Sequence, residues 1–210
     1  MTGPPSEVPA TRKSDWRDTL RVATDVALLG FLMTVAALPV VTAGAAVATG
    51  SAALHHFLEH DRWPTARASW SVFYRSLVAG LVAVMAVAVV VVLLVIDLAA
   101  LRRGVVPGGA ALVAVTVALA AAAAGYAALV VVALGADSER GWVTALRGGA
   151  ALAVARPTDL AAAAGVVALT VLLAILVHPA LTPILAGYAL FALHAVVRRP
   201  RRLRDAPGGR

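Results

Sequence analysis

Within seven positions the chain carries His55, His56, Glu59, His60 and Asp61, its densest group of side chains able to bind a metal or move a proton. On a helix His56 and His60 would share a face with Glu59 beside them, a spacing that metal sites use. The order is not the His-Glu-x-x-His of zinc peptidases, and the group closes a long apolar stretch. Polar residues belong at such a helix end, so the pattern predicts an interfacial terminus and assigns no metal ligand. Three further ionisable groups, Asp25, Asp97 and His194, stand inside or at the edge of apolar runs, where charge is costly and function is the first suspicion. Asp25 lies four residues after Arg21, which predicts a local ion pair. Asp97 lies about 30 Å along a helix from Leu77, hence at an interface, with Arg102 or Arg103 in reach. His194 sits about one turn inside the last run, and no second buried acid or base is expected at its depth. Cysteine is absent, which removes disulfides and thiolate chemistry. No Gly-x4-Gly-Lys-Ser/Thr and no Gly-x-Ser-x-Gly occurs. The pattern therefore predicts no catalytic residue, no cofactor and no enzyme.

The elements that hold these residues are apolar. Of the 210 residues 61% are hydrophobic and 14% are charged. Soluble domains carry about a quarter charged residues, so this chain has too little polar surface for water. The net charge of +7 resides in arginines placed between or just outside the apolar runs. That placement points to membrane topology and lipid contact and not to nucleic acid. Lys13 is the only lysine, and with the Ala, Val and Gly bias this suggests a GC-rich bacterial genome.

Six runs follow a polar start: Val22–Leu38, Val40–Leu58, Leu77–Leu101, Ala110–Leu134, Leu160–Val177 and Leu181–Val197. Each holds about 17–25 residues, enough for a helix to cross a hydrocarbon core. Runs apolar on every side, such as Val89–Ile96, exclude the alternation of a membrane barrel. The expected fold is all-α, a polytopic transmembrane bundle of six helices with both termini cytoplasmic. Residues 1–21 form a tail, disordered over 1–11; residues 22–197 form the membrane domain; residues 198–210 form a basic tail. Ala43-Gly44-Ala45 imitates a signal-peptide cleavage site, but the apolar run continues past it. Pro39 must end or kink the first helix, and Thr42 is placed to cap a second. Six crossings put sixteen basic residues in the cytoplasm and two outside, whereas five crossings divide them twelve to six. The rival is a five-crossing chain with residues 40–58 re-entrant or interfacial. Residues 138–155 read as a helix on the membrane surface, capped by Ser138, with Trp142, Leu146, Ala150 and Ala153 on one face.

The segment Leu38-Pro-Val-Val-Thr-Ala-Gly-Ala-Ala-Val-Ala-Thr-Gly-Ser-Ala-Ala-Leu54, followed by Ser69-Trp-Ser-Val-Phe73-Tyr-Arg75, resembles the opening signature of the YesL-like family of bacterial membrane proteins. The likeness covers about residues 20–80. It implies no established activity. Such proteins are often encoded beside carbohydrate ABC-transporter components, which implies a non-enzymatic accessory or regulatory role in a plasma membrane, with permease subunits as partners beside the bilayer itself. Read physically, Pro39, Thr42, Gly44, Ala48 and Ala52 form a helix-packing motif in which small residues four apart let backbones approach. Arg62, Arg67, Phe73, Arg75, Trp142 and Arg147 are candidates for docking or lipid contact at the cytoplasmic surface. The competing expectations are a small transporter or channel and, last, a membrane enzyme acting on lipid or envelope substrates.

Overall fold

The computed structural model describes residues 16–103, 109–176 and 181–205, and the tail over 1–11 lies outside them. All regular structure among the described residues is helical. Helix α1 spans Trp16–Ala37. It stops where Leu38 precedes Pro39, since a residue before proline is pushed out of the helical region. A single 3-10 turn at Val40–Thr42 reverses the chain into α2, Ala43–His60. The expected cap at Thr42 is not made. Its hydroxyl lies 2.6 Å from the Ala36 carbonyl and 2.8 Å from that of Pro39. Thr42 therefore serves the open end of α1 and leaves α2 uncapped. Asp61, in the left-handed conformation at φ 55°, closes α2 by donating its N–H to Phe57. A left-handed residue after the last turn is a common helix stop.

Helix α3 runs over Ala66–Arg102, 37 residues in all. At the usual rise per residue that is about 55 Å. It begins eleven residues before the apolar run because Thr65 caps it, accepting from the Ala68 N–H. An apolar run marks the stretch that suits hydrocarbon; the helix itself needs only a cap and no breaker. Helices α4 (Gly109–Ala136), α5 (Gly141–Ala155), α6 (Pro157–Leu176) and α7 (Thr182–Asp205) complete the order. No side chain caps α5: the preceding residue is Arg140, which pairs with Asp137 at 2.8 Å, and Ser138 takes no part. Its buried face is Ala145 and Gly149 with Trp142 alongside, whereas Leu146 and Ala150 are exposed.

Among the described residues four helices, α1, α3, α4 and α6, are long and apolar enough to cross a membrane, the build of an α-helical membrane protein. The outer surface agrees, since every residue from Val87 to Leu93 on α3 is exposed and only a hydrocarbon solvent suits that. Helix α2, with three histidines and a glutamate, does not belong to the four, and the apolar part of α7 is shorter, Thr182–Arg198. Neighbouring helices bury Ala45, Ala48, Ser51 and Leu54 of α2, while Glu59 and His60 at its end are exposed.

Glycines set the spacing. A Cβ on Gly44 would strike the backbone of Gly80 on α3, and one on Gly30 would stand 2.6 Å from the Gly187 nitrogen of α7. Likewise Gly125 of α4 lies against the Leu160 carbonyl of α6, and Gly149 of α5 against Val130. Ala48 packs with Val130, Leu134 and Ala145, on α4 and α5. The Tyr188 hydroxyl donates to the Ala23 carbonyl while Gly187 abuts Val26, so α1 and α7 are antiparallel. Ser51 meets His194 and Leu58 meets Arg198, so α2 and α7 run in the same direction. The start of α1, the α2–α3 connection, the α4–α5 turn and the end of α7 therefore share one end of the bundle.

Candidate functional site

Two helix faces with four-residue spacing converge at that end. Helix α2 presents Ser51, His55 and Glu59, and α7 presents His194 and Arg198. Helices α4 and α5 add Val132, Ala133, Thr144, Ala145 and Leu152, and the turn between them adds Asp137, around an open cavity of about 450 Å³. Its polar groups are graded in depth. His194 is 1% exposed and forms the floor, the His55 side chain is 18% exposed, and Glu59 at 49% stands at the mouth.

The hydrogen bonds fix most of the proton positions. His194 Nδ1 lies 3.0 Å from the Leu190 carbonyl. A carbonyl can only accept, so Nδ1 carries the hydrogen. In the neutral ring Nε2 then presents a lone pair, 3.5 Å from Ser51 Oγ. Ser51 directs its own proton elsewhere, to the Val131 carbonyl at 2.6 Å. His55 accepts at Nδ1 from the Arg198 guanidinium (3.3 Å) and donates from Nε2 to Glu59 (3.0 Å). Arg198 also donates to the Leu58 carbonyl at 3.0 Å. This places a cation over the open carbonyls at the end of α2. The rings of His55 and His194 are 6.2 Å apart. His55 thus stands beside His194 but nearer the mouth and only part-buried, because α2 and α7 run side by side in parallel.

The predicted histidine cluster is divided by the helix. His55 and Glu59 face the cavity. His56 turns outward to the Arg62 carbonyl (3.0 Å) and stacks on His60 at 4.4 Å. Among the described residues no three His, Cys, Asp or Glu side chains are arranged to hold a metal ion. Asp25 accepts from the Trp63 indole N–H at 3.2 Å in place of the expected pairing with Arg21, and Phe57 stacks on Trp63. Asp97 accepts from Thr116 of α4 at 2.9 Å.

The surface candidates separate as well. Arg62, Arg67, Arg75 and Arg147 are exposed, and Phe73 stacks against Trp70 on the first turns of α3. Trp142 points inward against the cluster of Ala48, Val130 and Leu134, and its indole nitrogen is buried without a hydrogen-bond partner among the described residues. Arg198, which lines the cavity, and Ser51, buried beside His194, are residues that sequence reasoning does not single out. The spacings Ser51-x3-His55-x3-Glu59 and His194-x3-Arg198 are the available signal, but Arg198 reads as one more basic residue of a tail.

Comparison with family models, with characterised proteins and with solved structures gives no match.

Proposed function

We propose that the chain is a multi-pass protein of a bacterial plasma membrane, with six crossings and both termini in the cytoplasm. It acts without catalysis, as an accessory or regulatory component of a membrane transport system. The observation that carries this reading is the gathering of Arg62, Arg67, Arg75 and Arg147, all exposed, at the end of the bundle where α1 starts and α7 leaves. The arginine count supports assigning that end to the cytoplasm. The α2 segment makes one of the six crossings: neighbouring helices cover Ala45, Ala48, Ser51 and Leu54, and its exposed Glu59 and His60 stand at the end assigned to the cytoplasm. The likeness of residues 38–54 and 69–75 to the YesL-like signature supports a bacterial source and a role beside a carbohydrate permease.

The test is purification in mild detergent with Lys and Ala substitutions at Arg67 and Arg75. Docking predicts that a permease subunit co-purifies with the wild type and is lost with both Lys and Ala, while membrane insertion stays normal. Lysine keeps the charge but not the planar fork of the guanidinium. If Lys restores all that Ala loses, these arginines contact lipid only and the docking role is wrong. The cavity favours a second reading, a small transporter, which predicts solute flux by the protein alone in liposomes.

A further inference from the structure

Helix α5 is two-sided, and its outer side is apolar. Ala145 and Gly149 are buried, and Trp142 turns inward beside them. The opposite face carries Val143, Leu146, Ala150 and Val154, spaced as one helical stripe, and all four are exposed. Val154, at 85%, is almost bare. A contiguous stripe of this kind needs hydrocarbon or a partner over it.

The depth of α5 decides between the two. The Leu146 carbonyl accepts from the Tyr126 hydroxyl at 3.1 Å, Gly149 abuts Val130, and Leu152 packs with Ala128 and Leu129. These partners stand on α4, the furthest of them ten residues before its end at Ala136, about 15 Å along the axis. They belong to a stretch without a charged residue, on a helix long and apolar enough to cross a membrane. Helix α6 continues along α4 with its Leu160 carbonyl against Gly125, so α5 rises beside α4 and does not lie flat across the end of the bundle. Its charges fit that depth. Arg147 is the only ionisable residue of α5, and helical side chains lean toward the N-terminus, here the end of the bundle. Its stem can therefore lie in hydrocarbon while the guanidinium reaches headgroups. Arg156, at the break before α6, is matched by Asp159 at 3.7 Å, the pairing that a charge near hydrocarbon requires. The Thr144 hydroxyl is turned back to the Arg140 carbonyl, so the stripe offers a protein partner little to pair with.

We infer that the outer face of α5 is seated in the leaflet at the arginine-bearing end, with Ala150 and Val154 against acyl chains and Arg147 at the headgroups. The helix enters the leaflet by the face opposite Trp142, where the sequence predicts a helix resting on the surface. This inference does not depend on the accessory role.

The experiment uses the full chain, purified alone, in nanodiscs of phosphatidylcholine and phosphatidylglycerol. Single cysteines at Val143→Cys, Val154→Cys and the exposed Glu139→Cys each carry an environment-sensitive fluorophore. All three side chains are exposed, so the substitutions leave the packing intact. Doxyl-labelled lipid should quench the label at Val154→Cys and aqueous iodide should not, whereas iodide should quench it at Glu139→Cys. Lipids carrying the doxyl group high or low on the acyl chain should place Val154→Cys deeper than Val143→Cys. Equal depth at those two sites would mean a helix flat on the surface. Iodide quenching at Val154→Cys as strong as at Glu139→Cys would leave the face to water or to a protein partner. Either result would overturn the assignment.

Discussion

Arg198 holds two helices together with one side chain. Its guanidinium reaches the Leu58 carbonyl at 3.0 Å and His55 at 3.3 Å, so it closes the end of α2 from α7. Arg198→Ala should lower stability by about 1–3 kcal/mol, because it removes charged hydrogen bonds and leaves carbonyls unanswered in a partly buried place. Thermal denaturation in detergent reads this, and Arg198→Lys should recover part of the loss. Glu59→Gln should cost less, since half of its side chain meets solvent and the pair is screened. No change in melting with Arg198→Ala would remove the residue from the architecture. None of this partnership is visible locally, for Arg198 and His55 are 143 positions apart. The chain shows polar spacing on each helix but not which faces meet.

Among the elements, the runs and the break at Pro39 are legible because hydrocarbon thickness and proline geometry act on contiguous residues. The early start of α3 is not, because polar residues such as Arg67 and Ser69 continue a helix as readily as apolar ones once Thr65 has capped it. Thr42 misleads for a related reason: a hydroxyl in a tight reversal can serve the helix before it as well as the one after. The glycines allow a sharper test. Gly44 abuts the backbone of Gly80, whereas Gly165 on α6 has open space where a Cβ would go. Gly44→Leu should therefore destabilise by about 1–3 kcal/mol or more, by forcing α2 and α3 apart. Gly165→Leu should be tolerated, and Ala37→Leu at the end of α1 should resemble it. Equal melting of all three variants would mean that no close seam joins α2 to α3.

For the molecule as a whole, one physical asymmetry dominates. Apolar residues are exposed along the length of α3, while arginines, the cavity and the inward-facing Trp142 gather at one end. A hydrocarbon slab around the long helices accommodates both facts, and an anionic leaflet beside the arginines contributes about 1 kcal/mol for each that reaches it. Other helices enclose Ala45, Ala48, Ser51 and Leu54 of α2, while its exposed Glu59 and His60 stand at the arginine-bearing end, where the edge of such a slab would lie. The most direct measurement is sided labelling of single cysteines placed at Ser138 and at Arg103, in a chain without native cysteine. Six crossings with cytoplasmic termini predict that a membrane-impermeant maleimide applied from outside labels Arg103→Cys, and that Ser138→Cys reacts only after the membrane is permeabilised. External labelling of Ser138→Cys in intact cells would contradict the account.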